Sequence, residues 1–349
     1  MHKHKQSQCK RKVKHRKNVM GLIIFCITVC IVFMFAYYQN LRKEISVRQE
    51  WLETVLTREK KWILENQGPE GEIYMNGSKA GDVNPYFACM AALGLLAETK
   101  NCPMTETEQK AVGRYLDWHT GVLLETDGKM GIYRKEGGEL IYKEKADSED
   151  GYLGMYLFLM GKYLEKTEST DLPEYWKKGI SLALKKIQSL MQDGITQVSE
   201  ENTTVYLMDN LEVWKGLYEL ELAGLEDTQA ISEIRKKIQK QIEKIFWDDA
   251  NQRWRIIGNS DRYHQTEFYP DGVAQIYPLI YEFPVKEKKK QKILYDQFTE
   301  KFQWQKLNKK RNGFLWAMTG MAAAQMRDIN NLVELVGNYE TEYLSLIHI

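Results

Sequence analysis

Two kinds of apolar pattern alternate along the chain from Gln39 onward. One is a single stripe. In ISEIRKKIQKQIEKIF, Ile231, Ile234, Ile238, Ile242 and Ile245 recur at three- and four-residue spacing, with lysines opposite. That spacing predicts an amphipathic helix with one buried face. GISLALKKIQSLM repeats it through Ile180, Leu184, Ile187 and Met191. The other kind is apolar nearly all round: NPYFACMAALGLLA (Asn84 to Ala97), GYLGMYLFLMGKYL (Gly151 to Leu164), FYPDGVAQIYPLIYEF (Phe268 to Phe283) and NGFLWAMTGMAAAQM (Asn312 to Met326). NLEVWKGLYELELAG (Asn210 to Gly224) is a more polar relative. Helices of this second kind are buried on several sides, and their glycines and alanines permit close approach.

Stripe helices centre near residues 56, 114, 181, 238 and 295, each followed by a buried helix, so the unit recurs about every sixty residues. Five helical hairpins fit before Asp328, and a sixth surface helix begins at INNLVELVGNYETEY. Alternating outer and inner helices predict an all-α (α/α) toroid over residues 39–343, incomplete in its sixth hairpin, whose inner helices all start at one mouth. Tetratricopeptide and HEAT solenoids have shorter repeats and more equal helices. Within TDGKMGIYRKEGGELIYKEK, the string IYRKEGGELIY predicts a β-hairpin turning at Gly137 and Gly138. It serves either as a wall of the mouth or as a plain connection.

The ends of the chain differ from the repeat. Residues 1–18 carry eight Lys/Arg and no acid, and the next twenty, VMGLIIFCITVCIVFMFAYY (19–38), carry no charge. That length suits a helix crossing the hydrocarbon core, with Tyr37 and Tyr38 at an interface. No small-x-small cleavage site follows, so the expectation is an uncleaved anchor of a bacterial cell membrane, spanning once, with the basic tail inside and the main domain outside. The last six residues, LSLIHI (344–349), match the translation of a sequencing-library adapter and are expected to be an artefact.

Setting the tail aside changes the charge balance. The whole chain is +1; without the tail's eight basic residues it holds 41 Lys/Arg against 48 Asp/Glu, about −7. The exported part shows no basic stripe, which argues against nucleic-acid binding. Only Cys89 and Cys102 lie in it, one in a predicted helix and one past its end, so it is not a disulfide scaffold. His119, His264 and His348 have no metal-ligand spacing. No metal and no cofactor are expected.

The chemistry lies ahead of the inner helices. KAGDVNPYF, EKADSEDGY, VYLMDNLEV and EFYPDGVAQ each hold an aspartate, Asp82, Asp147, Asp209 and Asp271, spaced by 65, 62 and 62 residues. Glu149 and Asp150 add to the second. Each aspartate suits a helix N-cap. As a set they gather carboxylates at one mouth, where glycoside hydrolysis needs a proton donor and a water-activating base. Tyr86, Tyr152, Tyr206, Trp214, Tyr269 and Trp316 lie near the same helix starts. They offer flat faces for stacking on sugars, or they simply pack there.

On these features the chain resembles the six-hairpin glycosidases, and among them glycoside hydrolase family eight, over roughly residues 45–343. GDVNPYF places Asp82 four residues before Tyr86, where that family has its acid, a glutamate. ADSEDGYLGMYLFL is similar to its Asp-rich second inner helix, and YPDGVAQIYP to the setting of its base, without the family's arginine and with an inserted proline. The resemblance implies an inverting hydrolase of a polysaccharide or oligosaccharide, with Asp82 as general acid and Asp271 as general base. Asp147, Asp150, Asp209, Tyr86, Tyr152, Trp214, Tyr269 and Trp316 would bind the sugar. Two other readings remain open. A polysaccharide lyase on a related toroid would use Asn84, Tyr86 or His264, although a lyase mouth should be basic. A non-catalytic sugar-binding factor for exopolysaccharide assembly would use the same tether.

Overall fold

The computed structural model describes residues 46–75, 81–137, 139–169, 172–225, 228–258, 260, 267–285, 288–306 and 317–341. The expectations for residues 1–18, 19–38 and 344–349, and for His264, Trp316 and His348, fall outside these. Among the described residues no helix is long and apolar enough to cross a membrane. The chain divides into two compact units, Met1–Val55 and Leu56–Ile349; the second carries everything that follows.

Helix α1 (46–65) enters that unit at Leu56. Then come β1 (Asp82–Val83), α2 (Pro85–Leu96), α3 (Glu106–Glu125), β2 (Gly131–Glu136), β3 (Glu139–Lys145), α4 (Glu149–Thr167) and α5 (Glu174–Leu190). Next are β4 (Met191–Gln192), β5 (Ile195–Thr196), α6 (Leu207–Leu222), α7 (Thr228–Phe246), β6 (Trp247–Asp248) and β7 (Arg253–Trp254). A wide turn, Phe268–Gly272, opens α8 (Val273–Ile280), followed by α9 (Lys288–Phe302), α10 (Thr319–Gln325) and α11 (Ile329–Tyr339). The predicted alternation is present. In α7 the buried stripe is Ile231, Ile234, Ile238, Ile242 and Phe246, whereas α4 buries thirteen of its nineteen residues and so has no solvent face.

The odd-numbered helices form an outer ring. A 3.2 Å ion pair, Lys60 to Glu108, joins α1 to α3, and Trp176 Nε1 donates to Asp117 Oδ1 at 2.8 Å between α5 and α3. Ile180 and Leu184 of α5 share a groove with Ile231 and Ile234 of α7. Lys290 of α9 covers the Trp247 ring just past α7, and Tyr295 of α9 donates to Asp328 at the start of α11. Arg58 of α1 pairs with Glu340, at the end of α11, at 2.8 Å. The outer layer thus closes on itself. Inside it, α2, α4, α6, α8 and α10 are neighbours in that order.

The α4–α6 contact is the closest of these. A Cβ on Gly154 would lie 2.6 Å from Val213 N, one on Gly161 2.5 Å from the Glu219 carbonyl carbon, and one on Gly216 2.3 Å from Gly154 O. Backbone meets backbone, so only glycine fits. The hairpins that enter the inner helices sit together at their N-terminal ends. The string IYRKEGGELIY forms β2 and β3 as expected, and β1 adds a third strand that pairs Asp82 with Arg134 and Val83 with Tyr133.

One expectation about the inner helices is corrected. The aspartates flank the N-caps and do not occupy them. Asn84 caps α2, with Pro85 at the first helical position. Ser148 caps α4, and α6 starts at Tyr206 without a side-chain cap. Cys89 and Cys102 are both free.

Replacing Gly216 by valine should lower stability by about 3 kcal/mol, the upper end for overpacking, because the opposing atom is backbone and cannot turn away. An unchanged urea midpoint would show that α4 and α6 are not held this close.

Candidate active site

A glutamate inside an inner helix organises the mouth. Glu212 on α6 is 2% exposed. Its Oε1 accepts from Tyr86 OH of α2 at 2.5 Å, from Tyr277 OH of α8 at 2.7 Å, and from Tyr281 OH, just past α8, at 3.4 Å. Tyr86 OH and Tyr277 OH are themselves 3.2 Å apart. Its other oxygen lies 2.7 Å from where a Cβ on Gly151 would stand, so glycine at 151 leaves it room. Three inner helices and the close face of a fourth therefore converge on one carboxyl. Burial pushes its pKa up, against the tyrosine hydrogen bonds that favour the anion, to about 7.

Above it opens a cleft of about 280 Å³, lined by Asn84, Tyr86, Phe87, Asp147, Ser148, Tyr152, Met208, Asp209, Glu212, Tyr269 and Tyr277. Asp209 stands one turn before Glu212 on α6, on the same helix face. Its Oδ2 is buried and has no hydrogen-bond partner among the described residues. Burial, then the negative charges of Asp150 and Glu212, push its carboxyl well above the usual range. Asp147 is solvent-exposed on the segment leading into α4. The cleft thus holds an exposed carboxylate and a carboxyl favoured to keep its proton, among tyrosines. Tyr86 and Tyr152 face each other with ring centroids 5.5 Å apart.

Among the expected residues, Asp147, Asp209, Tyr86, Tyr152 and Tyr269 are brought together here. The others go elsewhere. Asp82 is drawn onto β1, where its oxygens accept from Arg134 Nε at 2.6 Å, Arg134 Nη2 at 3.1 Å and Lys143 Nζ at 2.7 Å. These partners, Arg134 first, hold it down at about 2. A standing anion in a two-cation clasp is the opposite of a proton donor. Asp271 lines a different pocket, with Asn251, Arg253, Phe298 and Lys301, so the structure does not pair it with Asp82 across a groove. Asp150 is fully buried, and Trp214 is a core residue stacked on Tyr218 at 5.3 Å; neither lines the cleft. Among the described residues no cluster of His, Cys, Asp and Glu is arranged to hold a metal ion. Glu212, Tyr277 and Ser148 were not expected. The signal for Glu212 was present, since a glutamate amid the buried side of an inner helix is rare without partners.

No protein-family profile matches the chain, and no curated protein matches it in sequence. Its structure is similar to solved glycosidases. A glycosidase solved as a glutamate-to-alanine variant gives a TM-score of 0.58 at 11% identity, over 83% of this chain and 82% of that one. A family 63 mannosylglycerate hydrolase from Thermus thermophilus, in complex with glucose, gives 0.51 at 10% identity over 84% and 92%. A rhamnosidase from Klebsiella oxytoca with rhamnose bound gives 0.51 at 9% identity over 83% and 56%. The mostly helical fold is therefore similar to that of helical-toroid glycosidases, and the similarity does not single out family eight.

The raised pKa of Glu212 has a consequence for stability. The ordinary value is 4.5 and the folded value about 7, so the folded state holds this proton more tightly than the unfolded chain. The resulting stabilisation is full below about pH 4.5 and is lost as pH rises through 7. Its size is on the order of 3 kcal/mol. Asp150, pushed up to about 6 chiefly by burial, acts in the same direction. Glu212→Gln keeps an oxygen for the tyrosines and removes the titration. Between about pH 5 and pH 8 the wild-type urea midpoint should fall more steeply than that of the variant; parallel curves would contradict a buried, titrating Glu212.

Proposed function

We propose that this chain is a glycoside hydrolase acting on a polysaccharide or oligosaccharide, with Asp209 as the proton donor to the leaving oxygen. The observation that carries this is the Asp209 carboxyl, raised by burial and with one oxygen unpartnered, at a tyrosine-lined cleft in a glycosidase-like toroid. General acid catalysis needs a carboxyl that keeps its proton near neutral pH. Asp147 takes the second role. Exposed to solvent, it is placed to hold a nucleophilic water, and it comes from a different element than Asp209, which suits an inverting course with the two carboxyls flanking the sugar. Glu212 and Asp209 share one helix face and cannot flank a substrate from opposite sides. The tyrosines supply stacking faces. A lyase is disfavoured because, among the described residues, no Lys or Arg lines the cleft to neutralise a uronate carboxylate.

The proposed setting is a bacterial membrane surface, with residues 19–38 as anchor and the toroid outside. Support comes from the eight cations followed by twenty uncharged residues. In membrane fractions of a bacterial host, the toroid of the full chain should be degraded by protease added outside the membrane. Recovery of intact chain in the soluble fraction would sink the anchor.

Asp209→Asn and Asp147→Asn should each lower kcat by about 10²–10⁴-fold on glucan, xylan or chitosan substrates, read as reducing ends, with melting unchanged. Proton NMR of the first product should show the inverted anomer. Product absorbing in the ultraviolet through a new double bond would mean elimination instead, and wild-type rates in Asp209→Asn would remove it as the acid.

A further inference from the structure

Asn84 caps α2 and also lines the cleft. Capping alone does not call for an amide. Thr105, Ser148 and Asp328 cap α3, α4 and α11 with an oxygen, and serine or aspartate caps a helix as well as asparagine does. What asparagine adds is a pair of N–H donors beside that oxygen. Here the oxygen is committed. Pro85 has no N–H to give, and Asn84 Oδ1 accepts from Tyr86 N at 2.9 Å and from Phe87 N at 3.5 Å. Those N–H groups need an acceptor, which fixes the amide the oxygen-inward way round. Its nitrogen therefore lies on the side away from α2. Asn84 is 6% exposed, so these donors belong to the wall of the cleft rather than to open solvent. Burial raises the pKa of the Tyr152 hydroxyl nearby, and the Asn84 side chain acts against it, as a donor does. One hydrogen turned to Tyr152 leaves the second to give.

We infer that Asn84 is a substrate-binding residue: its Oδ1 holds the start of α2 while its Nδ2 donates to a sugar oxygen in the cleft. This rests on the hydrolase reading. The cleft is rich in groups that accept, and several of its hydrogens are spent within the protein. Tyr86 and Tyr277 donate to Glu212, and Ser148 donates to Asp150. Asn84 is the one amide among the described lining residues. A sugar hydroxyl has a single hydrogen, and once that is given to a carboxylate its lone pairs still need a donor; a ring oxygen has lone pairs only. An amide already held by a helix cap meets such an oxygen without ordering a mobile side chain, so little rotamer freedom is lost on binding.

Asn84→Ser and Asn84→Asp, made in the full chain, test this. Both keep an oxygen for Tyr86 N and Phe87 N, so both should keep the wild-type urea midpoint. Neither keeps the amide donors. Binding of cellohexaose, xylohexaose and a chitosan hexamer is measured by calorimetry. For an oligosaccharide that the wild type binds, Kd should rise about tenfold in each variant, the loss of one hydrogen bond at a buried site. In Asn84→Ser, KM should rise as far with kcat little changed, because the bond is made to bound substrate and transition state alike. A residue that only caps would leave Kd and KM at wild-type values in both, and would show itself in Asn84→Ala as lost stability alone. Wild-type affinity in either cap-keeping variant overturns the inference. Should Asn84→Ser fail to fold, Asn84→Asp decides alone by the same criterion. A chain that binds an oligosaccharide, loses it in both variants and hydrolyses none would support the binding role and sink the hydrolase reading. A wild-type chain that binds none of the three sinks both.

Discussion

A carboxyl buried at the centre of a ring of helices must be satisfied by several of them at once. Glu212 has this position. Tyrosine hydroxyls from α2 and from α8 and its C-terminal end reach one of its oxygens, and the missing side chain at Gly151 of α4 makes space for the other. A neutral or charged carboxyl without those donors would cost several kcal/mol in such a place. The arrangement therefore fixes where α2, α4, α6 and α8 stand relative to one another. Two of the tyrosines that satisfy Glu212, Tyr86 and Tyr277, also line the cleft, so the element that ties the inner helices together and the base of the site share one cluster.

The same α6 face carries Asp209, and the contrast between Asp209 and Asp147 follows from depth. Asp147 lies on an exposed segment. Asp209 has turned into the helix start, beside Asp150 and above Glu212, where each additional negative charge makes its own ionisation harder. Interacting carboxyls of this kind share protons as a set. A buried carboxyl outside the cleft, such as Asp150, thereby bears on the proton affinity of one that lines it.

In this fold the hairpins at the mouth join the inner helices, with residues such as Val83, Ile195 and Trp254 entering the core. The α4–α6 contact is made of glycines and backbone, and tolerates little change. The connections above it are short antiparallel pairs, some of whose side chains, Thr196 and Trp254 among them, are buried against the inner helices. One of them, β1 with β2 and β3, takes Asp82 out of the cleft through the clasp of Arg134 and Lys143. Sequence identities of 9–11% to toroid glycosidases fit a scaffold maintained by period and packing rather than by particular residues.

The sequence by itself determined the repeat. Single apolar stripes and all-round apolar helices alternate because outer and inner helices meet different solvents, and that contrast survives in the bare order of residues. It also determined that acids recur at the inner-helix starts. It could not decide which acids meet, because that depends on atoms supplied from far along the chain. Asp82 became a clasped anion when a strand 52 residues away brought Arg134 to it. Asp271 turned toward α9 and its own pocket. Glu212 looked like a polar residue in a helix of mixed character until partners 126, 65 and 69 residues away closed over it. Local periodicity is written in neighbouring residues, whereas proton affinity is set by burial and by charges that only the closed ring brings within reach.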